Sequence, residues 1–144
     1  MKDLGEALLE RLKTEAPRFL PGATEGGIRV VLEELRGQKH SVTGKFQLIS
    51  KGAVQRVFVK AFPSGGINNV LKHLDDPAGA FAREYDVLDK VYHSFEKRAV
   101  DHLLAVRPLA YFDDPPAIVM EQVDGTPLRS ALFRAHRFSR QRDV

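Results

Sequence analysis

Val57-Phe58-Val59-Lys60-Ala61-Phe62 is a run of strand-forming residues with one lysine near its centre. Side chains alternate across a strand, so Phe58, Lys60 and Phe62 share one face while Val57, Val59 and Ala61 share the other. Both faces are apolar apart from that lysine, which is therefore directed inward. A buried ammonium is costly unless an anion meets it. Two readings stand at this point. Lys60 is either a sheet-edge lysine whose head reaches water, or a lysine that meets a partner carboxylate and a polyanionic ligand.

A candidate carboxylate lies between Ala80 and Phe95, where Phe81, Tyr85, Leu88, Val91, Tyr92 and Phe95 recur at helical spacing and predict an amphipathic helix. At about 100° per residue, Glu84 falls inside the apolar arc, whereas Arg83, Asp86, Asp89 and Lys90 fall outside it or at its margin. Such a glutamate either sits at the rim of the stripe or supplies the charge that Lys60 lacks. The inward lysine of the preceding strand favours the second reading.

The lysine strand and the Glu84 helix are followed by Ala117-Ile118-Val119-Met120-Glu121-Gln122-Val123-Asp124-Gly125-Thr126-Pro127-Leu128. In this order the three pieces resemble the N-terminal lobe of the aminoglycoside phosphotransferase family, whose fold is protein-kinase-like, and the resemblance spans Ile28 to Leu132. It implies an α+β lobe that binds ATP: an antiparallel sheet of about five strands, a helix packed against it, and an N-terminal helix. It further implies Lys60 on the α- and β-phosphates with Glu84 positioning it. The Glu121 carbonyl and the Val123 amide would meet the adenine edge, and Met120 would pack behind the ring.

With 43% hydrophobic and 28% charged residues in 144, the chain is long enough and apolar enough for one globular core. The net charge of +3 is small, and much of the excess comes from Arg129, Arg134, Arg137, Arg140 and Arg142. No aromatic interleaving accompanies these arginines, so they read as a solvated basic end rather than a nucleic-acid site. The absence of cysteine excludes disulfides and thiolate metal sites, and His73, His93 and His102 show no ligand-like pairing. No apolar run approaches the roughly 20 residues that cross a bilayer, and Met1-Lys2-Asp3-Leu4-Gly5-Glu6 lacks the apolar block of a signal peptide. A cytoplasmic protein without a membrane partner is expected.

Three segments are expected: an N-terminal helical segment over 1–26, the nucleotide-binding lobe over 27–133, and a basic tail over 134–144. Leu4, Leu8, Leu9 and Leu12 predict a helix from Met1 to Ala16, stopped by Pro17 and Pro21-Gly22 and lidding the sheet. Strands are predicted at Ile28–Leu35 and Val42–Ile49, and Lys51-Gly52-Ala53 turns the second into the lysine strand, giving an antiparallel meander. The resemblance implies that the turn Arg36–Gly44 covers the nucleotide phosphates, with Gly37, Lys39 and Ser41 as the candidate contacts. Its residues describe a plain hairpin turn equally well, with neither G-x-G-x-x-G nor a P-loop.

Ile67–Leu74 reads as a short packing helix between breaks at Pro63–Gly66 and Asp75–Gly79. A strand within Leu103–Phe112 is confined by Pro108 to an edge or bulge. A turn at Asp113–Pro116 leads into a last strand, Ala117–Val123, that leaves the sheet edge as an exposed segment. Thr126 and Pro127 are placed to cap and start a helix of Leu128, Ala131, Leu132 and Phe133.

The function implied is transfer of the γ-phosphoryl group of ATP to a hydroxyl of a small molecule. Members of the family carry a His-Gly-Asp catalytic loop and a later metal-binding Asp in a second lobe, and neither is found in this sequence. No catalytic or metal-binding residue is therefore assigned here, Mg2+ and acceptor are expected only with a second lobe, and the chain alone is expected to be inactive. The alternative is a non-catalytic binding or regulatory module, in which the Lys60–Glu84 pair is structural and exposed apolar surface docks a second lobe or another copy.

Overall fold

Leu4, Leu8, Leu12 and Ala16 recur every fourth residue, which places them on one stripe of α1 (Lys2–Phe19), and all four are buried. The structure is a computed structural model that describes residues 2–20, 27–37, 41–62, 77–98, 105–124 and 134. After α1 come β1 (Arg29–Gly37), β2 (Val42–Ser50), β3 (Ala53–Ala61), α2 (Pro77–Arg98), β4 (Pro108–Asp113) and β5 (Pro116–Glu121). The strands form one antiparallel sheet in the order β1-β2-β3-β5-β4, so the protein is α+β with a five-stranded sheet and two helices.

The sheet face that α1 covers is the densely packed one. In β2 the buried positions alternate strictly with half-buried ones, and Val42, Phe46 and Leu48 meet Val57, Val59 and Ala61 of β3 beneath the α1 stripe. Each fully buried Leu or Val there contributes about 1.5–3 kcal/mol. The opposite face is thinner. There α2 packs on β4 and β5, with Phe81 and Ile118 fully buried and the Phe81 ring 4.6 Å from that of Phe62. Among the described residues no helix covers the β1–β3 half of this face, and Thr43, Lys45 and Phe58 remain half-buried.

Several boundaries differ from expectation. Helix α1 runs through Pro17 instead of stopping before it, closing with the Leu20 N–H donating to the Ala16 carbonyl at 2.8 Å. Proline forfeits one helical hydrogen bond, but the further half turn seats Leu20 and Phe19 against the core. The first hairpin is longer than expected: Arg36 pairs with Thr43 and Gly37 with Val42, so most of the expected turn is strand. β5 ends at Glu121, two residues short of the expected Val123, and lies between β3 and β4, as its buried Ala117-Ile118-Val119 requires.

Other expectations hold. β4 is an edge strand with a register irregularity between Pro108 and Ala110. The β2–β3 turn uses Lys51 (φ 44°) and Gly52 (φ 82°), the left-handed pair that matches strand twist in a two-residue hairpin. The predicted helices at 67–74 and 128–133 lie outside the described residues. No helix among the described residues is long and apolar enough to cross a membrane.

Candidate functional site

Lys60 and Glu84 are brought together by their neighbours. Lys60 lies two residues before Phe62 on one strand face, and Glu84 lies three residues after Phe81 on one helix face, so the Phe62–Phe81 ring contact sets lysine and glutamate opposite each other. Lys60 Nζ is 3.3 Å and 3.4 Å from Glu84 Oε1 and Oε2. The two side chains are 36% and 39% exposed. The lysine therefore stands at a water-accessible rim rather than in the interior; among the described residues α2 packs chiefly on β4 and β5. At such exposure an ion pair contributes about 0–1 kcal/mol, so this one orients two side chains more than it stabilises the fold.

Strand register places the other candidates along β3. Thr43 and Ile118 flank Lys60, Lys45 and Met120 flank Phe58, and Glu121 pairs with Val57. Glu121 is thus three strand residues from Lys60, about 10 Å at the usual rise. At the other end Gly37 pairs with Val42 and Val42 with Ala61, so the paired end of the β1–β2 hairpin lies beside Lys60. Gly37 is exposed there and Lys39 lies outside the described residues. Ser41, expected to face a phosphate, is 8% exposed and so buried beside the core residue Val42.

At the exit of β5, the Glu121 N–H donates to the Arg107 carbonyl at 2.9 Å and the Gln122 N–H to the Arg56 carbonyl at 3.1 Å. Val123 is 41% exposed, and its amide has no hydrogen-bond partner among the described residues. Met120, half-buried, lies on the same sheet face as Lys60 and beside Phe58.

Sequence reasoning did not single out the cluster on the open half of this face. Glu34, Arg36, Thr43, Gly44, Lys45 and Phe58 line a cleft of roughly 160 Å³. Lys45 Nζ lies 3.2 Å from Glu34 Oε2, and Arg36 Nε contacts Glu34 Oε1. The hydrogen bond from Lys45, with help from Arg36, holds the Glu34 carboxyl below the usual glutamate range. The polar alternation Thr43, Lys45, Gln47 in β2 was the available signal.

A larger cleft of roughly 510 Å³ opens between the end of α1, α2 and β4, lined in part by Tyr85, Asp89, Tyr92, His93, Glu96 and Arg107. Within it His93 Nδ1 is 3.3 Å from Asp89 Oδ1, and the Arg107 guanidinium lies 5.9 Å from the Tyr92 ring centre. The adjacent Glu96 carboxylate pushes the Tyr92 phenol pKa up, and burial does the same for Tyr85. Among the described residues no group of three or more His, Cys, Asp or Glu is placed to hold a metal ion. Compared with protein-family models, with curated proteins and with solved structures, the chain matches none.

Proposed function

We propose that this chain is the ATP-binding, kinase-like N-terminal lobe of a small-molecule phosphotransferase of the aminoglycoside phosphotransferase type. The observation that carries the reading is the Lys60–Glu84 pair at 3.3 Å, joining the third strand to the helix that follows it. Kinase-like enzymes hold the nucleotide phosphates with a third-strand lysine paired to a glutamate of the next helix. The pair is too exposed to matter much for folding, which favours a role toward a ligand. The spacing along β3 supports the same placement: adenine at Glu121–Val123 and over Met120, phosphates about 10 Å away at Lys60.

In this reading Lys60 neutralises the α- and β-phosphates and Glu84 fixes its ammonium. The Glu121 carbonyl and Val123 amide read the purine edge. The carboxylate that orients an acceptor hydroxyl and the ligands for Mg2+ have no counterpart assigned within these 144 residues, so the lobe binds and orients but does not itself transfer phosphate. Calorimetric titration with ATP tests this: binding near the millimolar range that weakens several-fold in Lys60→Ala is expected, and binding indifferent to Lys60→Ala contradicts it. A coupled assay for ADP release should show no turnover with aminoglycosides or sugars.

A second reading, a non-catalytic binding module on the same scaffold, is favoured by the exposure of Val87 (58%) and Val91 (39%) on α2. It predicts association that Val87→Ser and Val91→Ser abolish and Lys60→Ala leaves intact, measured by sedimentation.

A further inference from the structure

We propose that Lys45 is a second anion-binding group on the Lys60 face, and that Glu34 occupies it until a polyphosphate chain displaces the carboxylate. The inference rests on the nucleotide reading above only in placing the ligand on this face.

Lys45 pairs with Phe58 across β2 and β3, and Thr43 pairs with Lys60. Lys45 is therefore two residues along and one strand over from Lys60, with Cα atoms about 8 Å apart and both side chains on the same face. One chain of linked phosphates spans that distance. Phe58 lies between them as a half-buried ring in the floor of the cleft that Lys45, Arg36 and Thr43 surround.

Glu34 reaches this face through a bulge. The register of β1 against β2 shifts between Leu32 and Glu34, so that Glu33 contacts Gln47 and Glu34 contacts both Lys45 and Arg36 on the open side. Bulges re-aim side chains in this way, often beside binding sites. The Glu34 carboxylate thus faces two cations, Lys45 and Arg36, while Glu33 is taken up by Gln47 farther along the strand. The side chains of Glu34, Lys45 and Arg36 are 33%, 42% and 75% exposed, so their ion pairs are weak and open to exchange. A multivalent phosphate chain outcompetes one carboxylate for the same donors.

The test is calorimetric titration of the full chain with tripolyphosphate and, in parallel, ATP at low salt, using wild type, Glu34→Gln, Lys45→Met and Lys60→Ala, each checked by thermal melting. Removing the carboxylate should tighten tripolyphosphate binding about threefold and Lys45→Met should weaken it by a similar factor, both effects fading at high salt. Glu34→Gln that leaves binding unchanged or weakens it overturns the inference, as does a silent Lys45→Met or the absence of tripolyphosphate binding by every protein at millimolar concentration. If Glu34→Gln and Lys45→Met act while Lys60→Ala is silent, the nucleotide reading fails and this one stands. If Lys60→Ala alone weakens ATP binding, the reverse holds.

Discussion

Replacing Glu84 with alanine separates orientation from stability. The lysine it faces is 3.3 Å away, and the two side chains are 36% and 39% exposed. Water screens both charges, so the lost pair is worth about 0–1 kcal/mol, and the better helix propensity of alanine returns a few tenths. For a chain of this size about 1 kcal/mol moves the melting temperature by about 2–4 °C. Breaking a fully buried pair would instead cost about 3–5 kcal/mol, a difference that urea denaturation resolves easily. Glu84→Ala should therefore unfold close to wild type while binding ATP more weakly, because the Lys60 ammonium is no longer held toward the phosphates. A stability loss above about 3 kcal/mol would mean that the pair is buried after all. Unchanged ATP affinity would remove the orienting role.

Three further outcomes follow from the packing and the charges. Phe81→Ala removes the ring that meets Phe62 and should cost about 3–5 kcal/mol in urea melts, also loosening the Lys60–Glu84 approach, since Phe81 is 1% exposed. A Cβ at Gly44 would stand 2.6 Å from Phe46 Cε2 and 3.3 Å from Leu35 Cδ1, so Gly44→Ala should destabilise by about 1–3 kcal/mol; an unchanged urea midpoint would show that the Phe46 ring yields. Glu34 has its carboxyl pKa depressed in the folded state, first by the Lys45 hydrogen bond, so its stabilising contribution is present above the ordinary glutamate range and is lost as pH falls through the depressed value. An NMR carboxyl titration should place its midpoint below that of an unstructured glutamate and move it upward in Lys45→Met; a midpoint at the ordinary value would contradict the pairing.

What was legible in the sequence was what periodicity determines. Alternation in Val57–Phe62 separated the core residues Val57, Val59 and Ala61 from Phe58, Lys60 and Phe62, and the helical arc placed Glu84 toward Lys60. The strand alone leaves the burial of Lys60 open, because it depends on how far α2 reaches across the sheet, which no single strand encodes. The run through Pro17 was missed because the packing of Phe19 and Leu20 overrides a local penalty. The Glu34–Lys45–Arg36 cluster needed the register of β1 on β2, and the shift between Leu32 and Glu34 breaks the two-residue period that would have revealed it. For β5 the signal was present: Ala117-Ile118-Val119 is apolar on both faces, as an interior strand requires.

Amide chemical-shift mapping of the isotopically labelled chain on titration with ATP addresses the placement of the nucleotide. Shifts should concentrate at Thr43, Phe58, Lys60, Met120, Glu121 and Val123, along the line from the β1–β2 hairpin to the exit of β5, and should need several-fold more ATP in Lys60→Ala. Shifts gathered instead around Tyr92, His93 and Arg107 in the larger cleft, or none at millimolar ATP, would contradict a nucleotide site on the Lys60 face.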